Sequence, residues 1–238
     1  PFFSPDGKWI GFATGTVLKK ISVSGGAALT LSNGGGTMYG AAWGPDDTLV
    51  FNGPTTALMK FSAAGGEPQP FTSLQQGEAS HRWPQFLPDG KTVLFTIGTA
   101  GSYDDAQIAV QRLDSSEHKV LVRGGTNARY IPTGHLIYYR AGTLMAVPFD
   151  PVTLEVKGSA SPVVEEVAGF TATGAAQYSI SNLGSLAYLR GSPQSATQTM
   201  LWVNRQGLAT PLPAPPRAYR APKLSPDGRQ VAVGIGTD

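Results

Sequence analysis

The sequence predicts an all-β fold, a β-propeller of four-stranded antiparallel blades, about six of them with the last incomplete. Three observations carry this. A turn tetrad recurs at near-even spacing, β-rich apolar runs flank each copy, and the composition is poor in charge but rich in turn formers. The 238 residues include 30 Gly and 19 Pro, and only 14% are charged. That balance disfavours long helical bundles and suits short strands joined by tight turns. A hydrophobic content of 41% argues against disorder.

The tetrads define the repeat. "SPDG" at Ser4–Gly7 has counterparts in "GPDD" at Gly44–Asp47, "LPDG" at Leu87–Gly90 and "SPDG" at Ser225–Gly228. Weaker copies are "IPTG" at Ile131–Gly134 and "SNLG" at Ser181–Gly184. Their last residues stand at 7, 47, 90, 134, 184 and 228, in steps of 40, 43, 44, 50 and 44. Pro presets φ, Asp bonds its own backbone two residues on, and Gly accepts positive φ, so each tetrad reads as a hairpin turn.

The flanks agree. An apolar residue precedes each tetrad (Phe3, Trp43, Phe86, Tyr130, Ile180, Leu224). Another follows each anchor by four or five residues (Phe12, Phe51, Phe95, Tyr138, Tyr188, Val233). A second turn recurs in "KKISVSGGAALTL" (Lys19–Leu31) and "MKFSAAGGEPQPFT" (Met59–Thr72), while the fourth repeat carries the longer "LMAVPFDPVTLEVKGSASPVV" (Leu144–Val164). Two hairpins per unit make four strands, the content of one propeller blade. Such blades stack radially and bury their aromatic flanks against one another. A β-sandwich with coincidental turns is the alternative, and it would not require even spacing.

Counting gives one partial propeller over residues 1–238: five nearly complete blades and half of a sixth. Both ends read as cut edges of a longer protein. The isolated ring is expected to be open or weakly closed, and its exposed edge to favour aggregation.

Composition and motifs narrow the chemistry. A net charge of +2 implies no general attraction to nucleic acid or anionic lipid. The absence of Cys excludes disulfides and a thiol nucleophile. No apolar run approaches the roughly 18 residues needed for a membrane span, so no membrane insertion by this segment is expected. "DGKT" at Asp89–Thr92 has Gln85 where a phosphate-binding loop needs Gly, and "GGG" at Gly34–Gly36 has no dinucleotide-binding continuation. "HRW" at His81–Trp83 has Trp where a kinase catalytic loop needs Asp, and no Gly-x-Ser-x-Gly elbow occurs. His81, His118 and His135 read as too few and too dispersed for a metal site, with His118 and His135 facing solvent. "SYDD" at Ser102–Asp105 reads as a solvated acidic loop. No catalytic residue, metal or cofactor is expected.

Candidate ligand contacts lie where strands enter the central channel. Five residues before each tetrad stand Tyr39, Arg82, Thr126, Ala176 and Arg220, with His81 and Tyr219 one residue earlier. Arg129 falls two residues before its own tetrad. The set Tyr39, His81, Arg82, Arg129, Tyr219 and Arg220 would ring one mouth of the channel. Arg and Tyr there would hold a carboxylate, phosphate or peptide by charge-assisted bonds and stacking. The alternative is that these side chains bridge neighbouring blades.

The segments "FSPDGKWIGF", "WGPDDTLVF", "FLPDGKTVLF" and "LSPDGRQVAV" resemble the WD40-like repeat of TolB-type β-propellers; the tetrads ending at Gly134 and Gly184 lack its Asp. The segments "SHRWPQFLPDGKTVLFT", "VLVRGGTNARYIPTGHLIY", "GTLMAVPFD" and "LWVNRQGLATPLPAPPRAYRAPKLSPDGRQVAV" resemble the C-terminal propeller region of large bacterial serine/threonine protein kinases. That resemblance implies a parent chain with an N-terminal kinase domain and commonly a transmembrane helix, and it favours a periplasmic or extracytoplasmic propeller. The expectation is a non-enzymatic protein- or peptide-binding, sensory module. The alternatives are the accessory propeller of a prolyl-oligopeptidase-like serine peptidase and a TolB-like periplasmic scaffold. Direct catalysis or sugar processing in the channel is a third reading.

Overall fold

The computed structural model describes residues 1–33, 38–53, 56–100, 103–191, 199–204 and 208–235. The Gly34–Gly36 triplet and Ser102 lie outside them. Blade 1 comprises Phe2–Phe3, Trp9–Thr14, Val17–Ser22 and Leu29–Ser32, paired antiparallel in chain order. Blade 2 repeats the pattern with Ala41–Trp43, Thr48–Asn52, Leu58–Ser62 and Gln69–Pro70. Blade 3 has Glu78–Phe86, Thr92–Thr99, Gln107–Arg112 and His118–Arg123. In blade 4, Thr126–Ile131 and His135–Arg140 lead to Thr143–Asp150, whose start pairs with Ser161–Val164 and whose end pairs with Glu155–Val156. Blade 5 comprises Tyr178–Ile180, Leu186–Tyr188, Leu201–Val203 and Ala209–Pro211. Blade 6 has two strands, Tyr219–Leu224 and Val231–Ile235. The predicted propeller is therefore present, and its last blade is incomplete among the described residues. No helix among those residues is long and apolar enough to cross a membrane.

Each tetrad closes its turn as its chemistry dictates. The amide of the last residue donates to the carbonyl of the first: Gly7 to Ser4 at 2.9 Å, Gly90 to Leu87 at 3.0 Å and Gly228 to Ser225 at 2.9 Å. The weak copies do the same, Gly134 to Ile131 and Gly184 to Ser181, both at 3.0 Å. All the anchors take positive φ, including Asp47 at 62°, the one anchor without glycine. In the two "SPDG" copies the serine hydroxyl donates to the turn aspartate, Ser4 to Asp6 at 2.6 Å and Ser225 to Asp227 at 2.5 Å.

The core is divided among the seams between blades. Phe2, Leu18, Trp43 and Phe51 fill the seam of blades 1 and 2, and Val50, Leu58, Phe71 and Phe95 that of blades 2 and 3. Leu94, Ile108, Leu136 and Tyr138 join blades 3 and 4, and Ile137, Tyr139 and Tyr178 join blades 4 and 5. Leu189 and Tyr219 carry the seam of blades 5 and 6. Of the aligned aromatics, Phe51, Phe95 and Tyr138 are buried almost completely. The inner strand of blade 1 also packs against that of blade 6, so the ring closes near its axis. Further out it gapes into a cleft of about 650 Å³ between the two "SPDG" turns.

Inner strands share one irregularity that shapes the channel. In blade 3, Leu94 pairs with Gln85 and Thr96 with Arg82, so Trp83 and Pro84 together face one residue. Blade 4 repeats this at Asn127 and Ala128, and blade 6 at Ala221 and Pro222. Trp83, Asn127 and Ala221 have φ of 56°, 51° and 48°. These are β-bulges, which bend a strand and re-aim its side chains. A proline is tolerated there because the bulged residue owes no ladder hydrogen bond.

Candidate functional site

The predicted mouth is built around Arg82. Its guanidinium stacks over the Tyr39 ring at 3.7 Å and lies 4.8 Å from the Tyr103 ring centre. Tyr39 in turn meets Trp83 edge-on at 6.2 Å. A short hairpin between blades 4 and 5, Gly169–Phe170 with Ala175–Ala176, lies across these strand starts. Its Thr173 carbonyl accepts from Arg82 Nη1 and Trp83 Nε1, both at 3.2 Å, and its Gly174 carbonyl accepts from Thr126 Oγ1 at 2.8 Å. A cleft of about 180 Å³ remains beside it, lined by Tyr103, Thr126, Tyr139, Arg140 and Phe170. Arg82 thus fastens the hairpin to blade 3.

The other predicted residues are dispersed. His81 is fully buried in the seam of blades 2 and 3. Tyr219 is buried in the seam of blades 5 and 6, where its hydroxyl donates to the Pro215 carbonyl at 2.5 Å. Arg220 is exposed. Arg129 follows the blade 4 bulge and reaches into blade 3, donating to the carbonyls of Trp83 and Pro84 at 3.2 and 3.3 Å. His118, expected in solvent, is instead enclosed: its side chain is 3% exposed and its Nε2 lies 2.8 Å from Glu78 Oε1. The twist of blade 3 carries the start of its outer strand over the seam, which hairpin position alone does not reveal. His135 stays near the surface beside Thr133.

Lys223 of blade 6 occupies the same column as Arg129, two residues before its tetrad. Desolvation pushes the Lys223 ammonium well below its ordinary range, and Arg129 pushes it further down. Arg129 is lowered mainly by desolvation as well. Blade 5 separates blades 4 and 6, so the two cations stand at equivalent inner-strand positions two blades apart. Both residues are half-buried. Among the described residues no carboxylate lies within ion-pair distance of either. The same column in blades 3 and 5 is uncharged. Gln85 pairs with the Tyr130 backbone and the Ser179 hydroxyl accepts from the Leu224 amide. Sequence reading singled out Arg129 and passed over Lys223, although aligning this column would have shown both cations.

No protein family and no curated protein matches this chain. Solved structures do. A gluconolactonase from Xanthomonas campestris superposes with a TM-score of 0.71 at 12% identity, covering 99% of this chain and 82% of that one. TolB from Acinetobacter baumannii gives 0.66 at 21% identity, covering 96% of this chain and 58% of that one. A prolyl endopeptidase gives 0.56 at 14% identity, covering 99% of this chain and 42% of that one. At these identities the likeness establishes the propeller fold. It also overturns the expectation of a non-enzymatic module. A structure described as a gluconolactonase has this same architecture, so catalysis on it does not depend on kinase loops or a nucleophile elbow. The absence of those motifs was therefore no ground for excluding an enzyme.

Proposed function

We propose that this propeller binds the anionic group of a peptide, its terminal carboxylate, in the axial channel between Arg129 and Lys223. The observation that carries the reading is two desolvated cations in the same inner-strand column, with no carboxylate within ion-pair distance among the described residues. Burying such charges is costly unless something compensates them, and a bound anion would do so. Arg129 is already braced by the carbonyls of Trp83, Pro84 and Ala128, which favours a preorganised receptor. The resemblance of the sequence to bacterial kinase propellers supports placing this module on a serine/threonine kinase. A kinase domain encoded upstream would agree with that, and a hydrolase elbow downstream would overturn it.

The binding test is titration calorimetry with a short peptide bearing a free C-terminus, its amidated form, inorganic phosphate and gluconate. Saturable one-to-one binding of the free-carboxylate peptide is expected, weakened at least tenfold by amidation and by Lys223→Met. Preferential binding of phosphate or gluconate would overturn the peptide assignment. Affinity unchanged in Lys223→Met would overturn the channel itself.

A further inference from the structure

The seam of blades 2 and 3 holds a second constellation, distinct from the channel. Glu78 and His81 begin the inner strand of blade 3, and His118 begins its outer strand. Residues three apart on a regular strand point to opposite faces. Here Gly98 pairs with Ser80 and Thr99 with Glu78, so Ala79 is skipped and Glu78 regains the face of His81. His81 Nε2 lies 3.1 Å from Glu78 Oε2, and His118 Nε2 lies 2.8 Å from Glu78 Oε1. The three ligand atoms fall within 4.8 Å of one another. The His81 side chain is fully buried, that of His118 is 3% exposed and that of Glu78 11% exposed, so solvent reaches the group from the carboxylate side.

We propose that Glu78, His81 and His118 form a binding site for a first-row divalent transition metal, with Zn²⁺ the best-fitting ion. Two imidazoles and one carboxylate are a donor set that zinc accepts with water in its fourth position, whereas Ca²⁺ and Mg²⁺ favour oxygen shells. Bonds of about 2.0–2.1 Å at tetrahedral angles place neighbouring ligand atoms about 3.3 Å apart. The two contacts of Glu78, at 3.1 and 2.8 Å, need to lengthen only slightly to reach that. Both rings are held in place, His81 4.8 Å and His118 5.8 Å from the centre of Phe95.

Thr72 supplies the outer support such a site requires. Its Oγ1 lies 2.8 Å from His81 Nδ1 and accepts from the Leu58 amide at 2.9 Å. With Nε2 protonated toward Glu78, the hydroxyl donates to Nδ1. When Nε2 gives its lone pair to a metal, the proton sits on Nδ1 and the same hydroxyl accepts it. The ring therefore changes tautomer without losing its anchor, as second-shell partners of metal-bound histidines allow.

The test uses the full chain freed of metal by chelation. Calorimetry with ZnCl₂ should give one site per chain, and Co²⁺ should develop the visible d–d bands of a low-coordinate site. Glu78→Gln and His118→Gln should each weaken Zn²⁺ binding at least tenfold, and Thr72→Val by about ten- to a hundredfold. His135→Gln should leave it unchanged. Absence of saturable Zn²⁺ binding, affinity in both triad variants unchanged from the unaltered protein, or displacement by an equal concentration of Ca²⁺ would overturn the proposal. Should the triad variants fail to fold by circular dichroism, the Co²⁺ spectrum of the unaltered protein decides: octahedral, water-like bands would sink the site.

Discussion

Phe95 is 1% exposed and lies among Val50, Leu58, Phe71 and Ala109, contributed by two blades. Truncating it leaves a void that rigid sheets on both sides cannot readily close. Phe95→Ala is expected to cost about 3–5 kcal/mol, read from urea unfolding. A cost under about 1 kcal/mol would mean that the seam collapses and that its packing is not specific. The burial of this residue was legible in advance from its place after a tetrad. His118 was not, because its environment comes from a strand and a loop distant in sequence. Trp83, Asn127 and Ala221 were equally hidden: nothing local requires a non-glycine residue to adopt positive φ, an arrangement the surrounding ladder must enforce.

Elements lock to their neighbours by a repeated device. From the third strand of blade 1, Lys20 Nζ donates to the Ala63 carbonyl of the next blade at 3.0 Å, passing 5.0 Å from the Trp9 ring centre. Lys60 does the same one blade on, reaching the Leu113 carbonyl at 3.0 Å and passing 5.7 Å from Phe71. Each accepting carbonyl belongs to the residue that follows a third strand, so the clasp takes the same place at the first two seams; blade 3 has Val110 at the equivalent position. Lys60→Met keeps the aliphatic stem and removes only the charged donor. It should cost about 1 kcal/mol, since the groups are only partly buried. Lys20→Met should add to it independently, the two seams being separate. Strong coupling in the double variant, measured by chemical denaturation, would contradict a nearest-neighbour ring.

At the scale of the whole molecule, burial acts on the charge of Lys223: desolvation holds its ammonium well below the ordinary lysine range, and the charge of Arg129 lowers it further. A base whose folded pKa is lowered binds its proton better in the unfolded chain. Its penalty is present at low pH and lifts as pH rises through the folded value toward the ordinary lysine range. Stability of the unaltered protein should therefore rise as the pH climbs toward the ordinary lysine range, and Lys223→Met should flatten that slope. Thermal unfolding across this range reads it, and an equal slope in the variant would show that Lys223 is not the titrating group. The gap between blades 1 and 6 belongs to this scale too, because it depends on how five seams accumulate around the circle.

By itself, the sequence determined the repeat, its turns and the apolar flanks, because these are local chemistry: Pro-Asp-Gly makes a turn wherever it stands, and alternation makes a strand. It also marked Arg129, through a column count. The desolvation of Lys223, the hairpin held by Arg82, and the meeting of Glu78, His81 and His118 were decided only by tertiary structure. Bulges such as the one at Ala79 invert which side chains share a face, and blade twist joins residues forty positions apart. Both effects arise from the ladder between strands, whose register no single segment encodes.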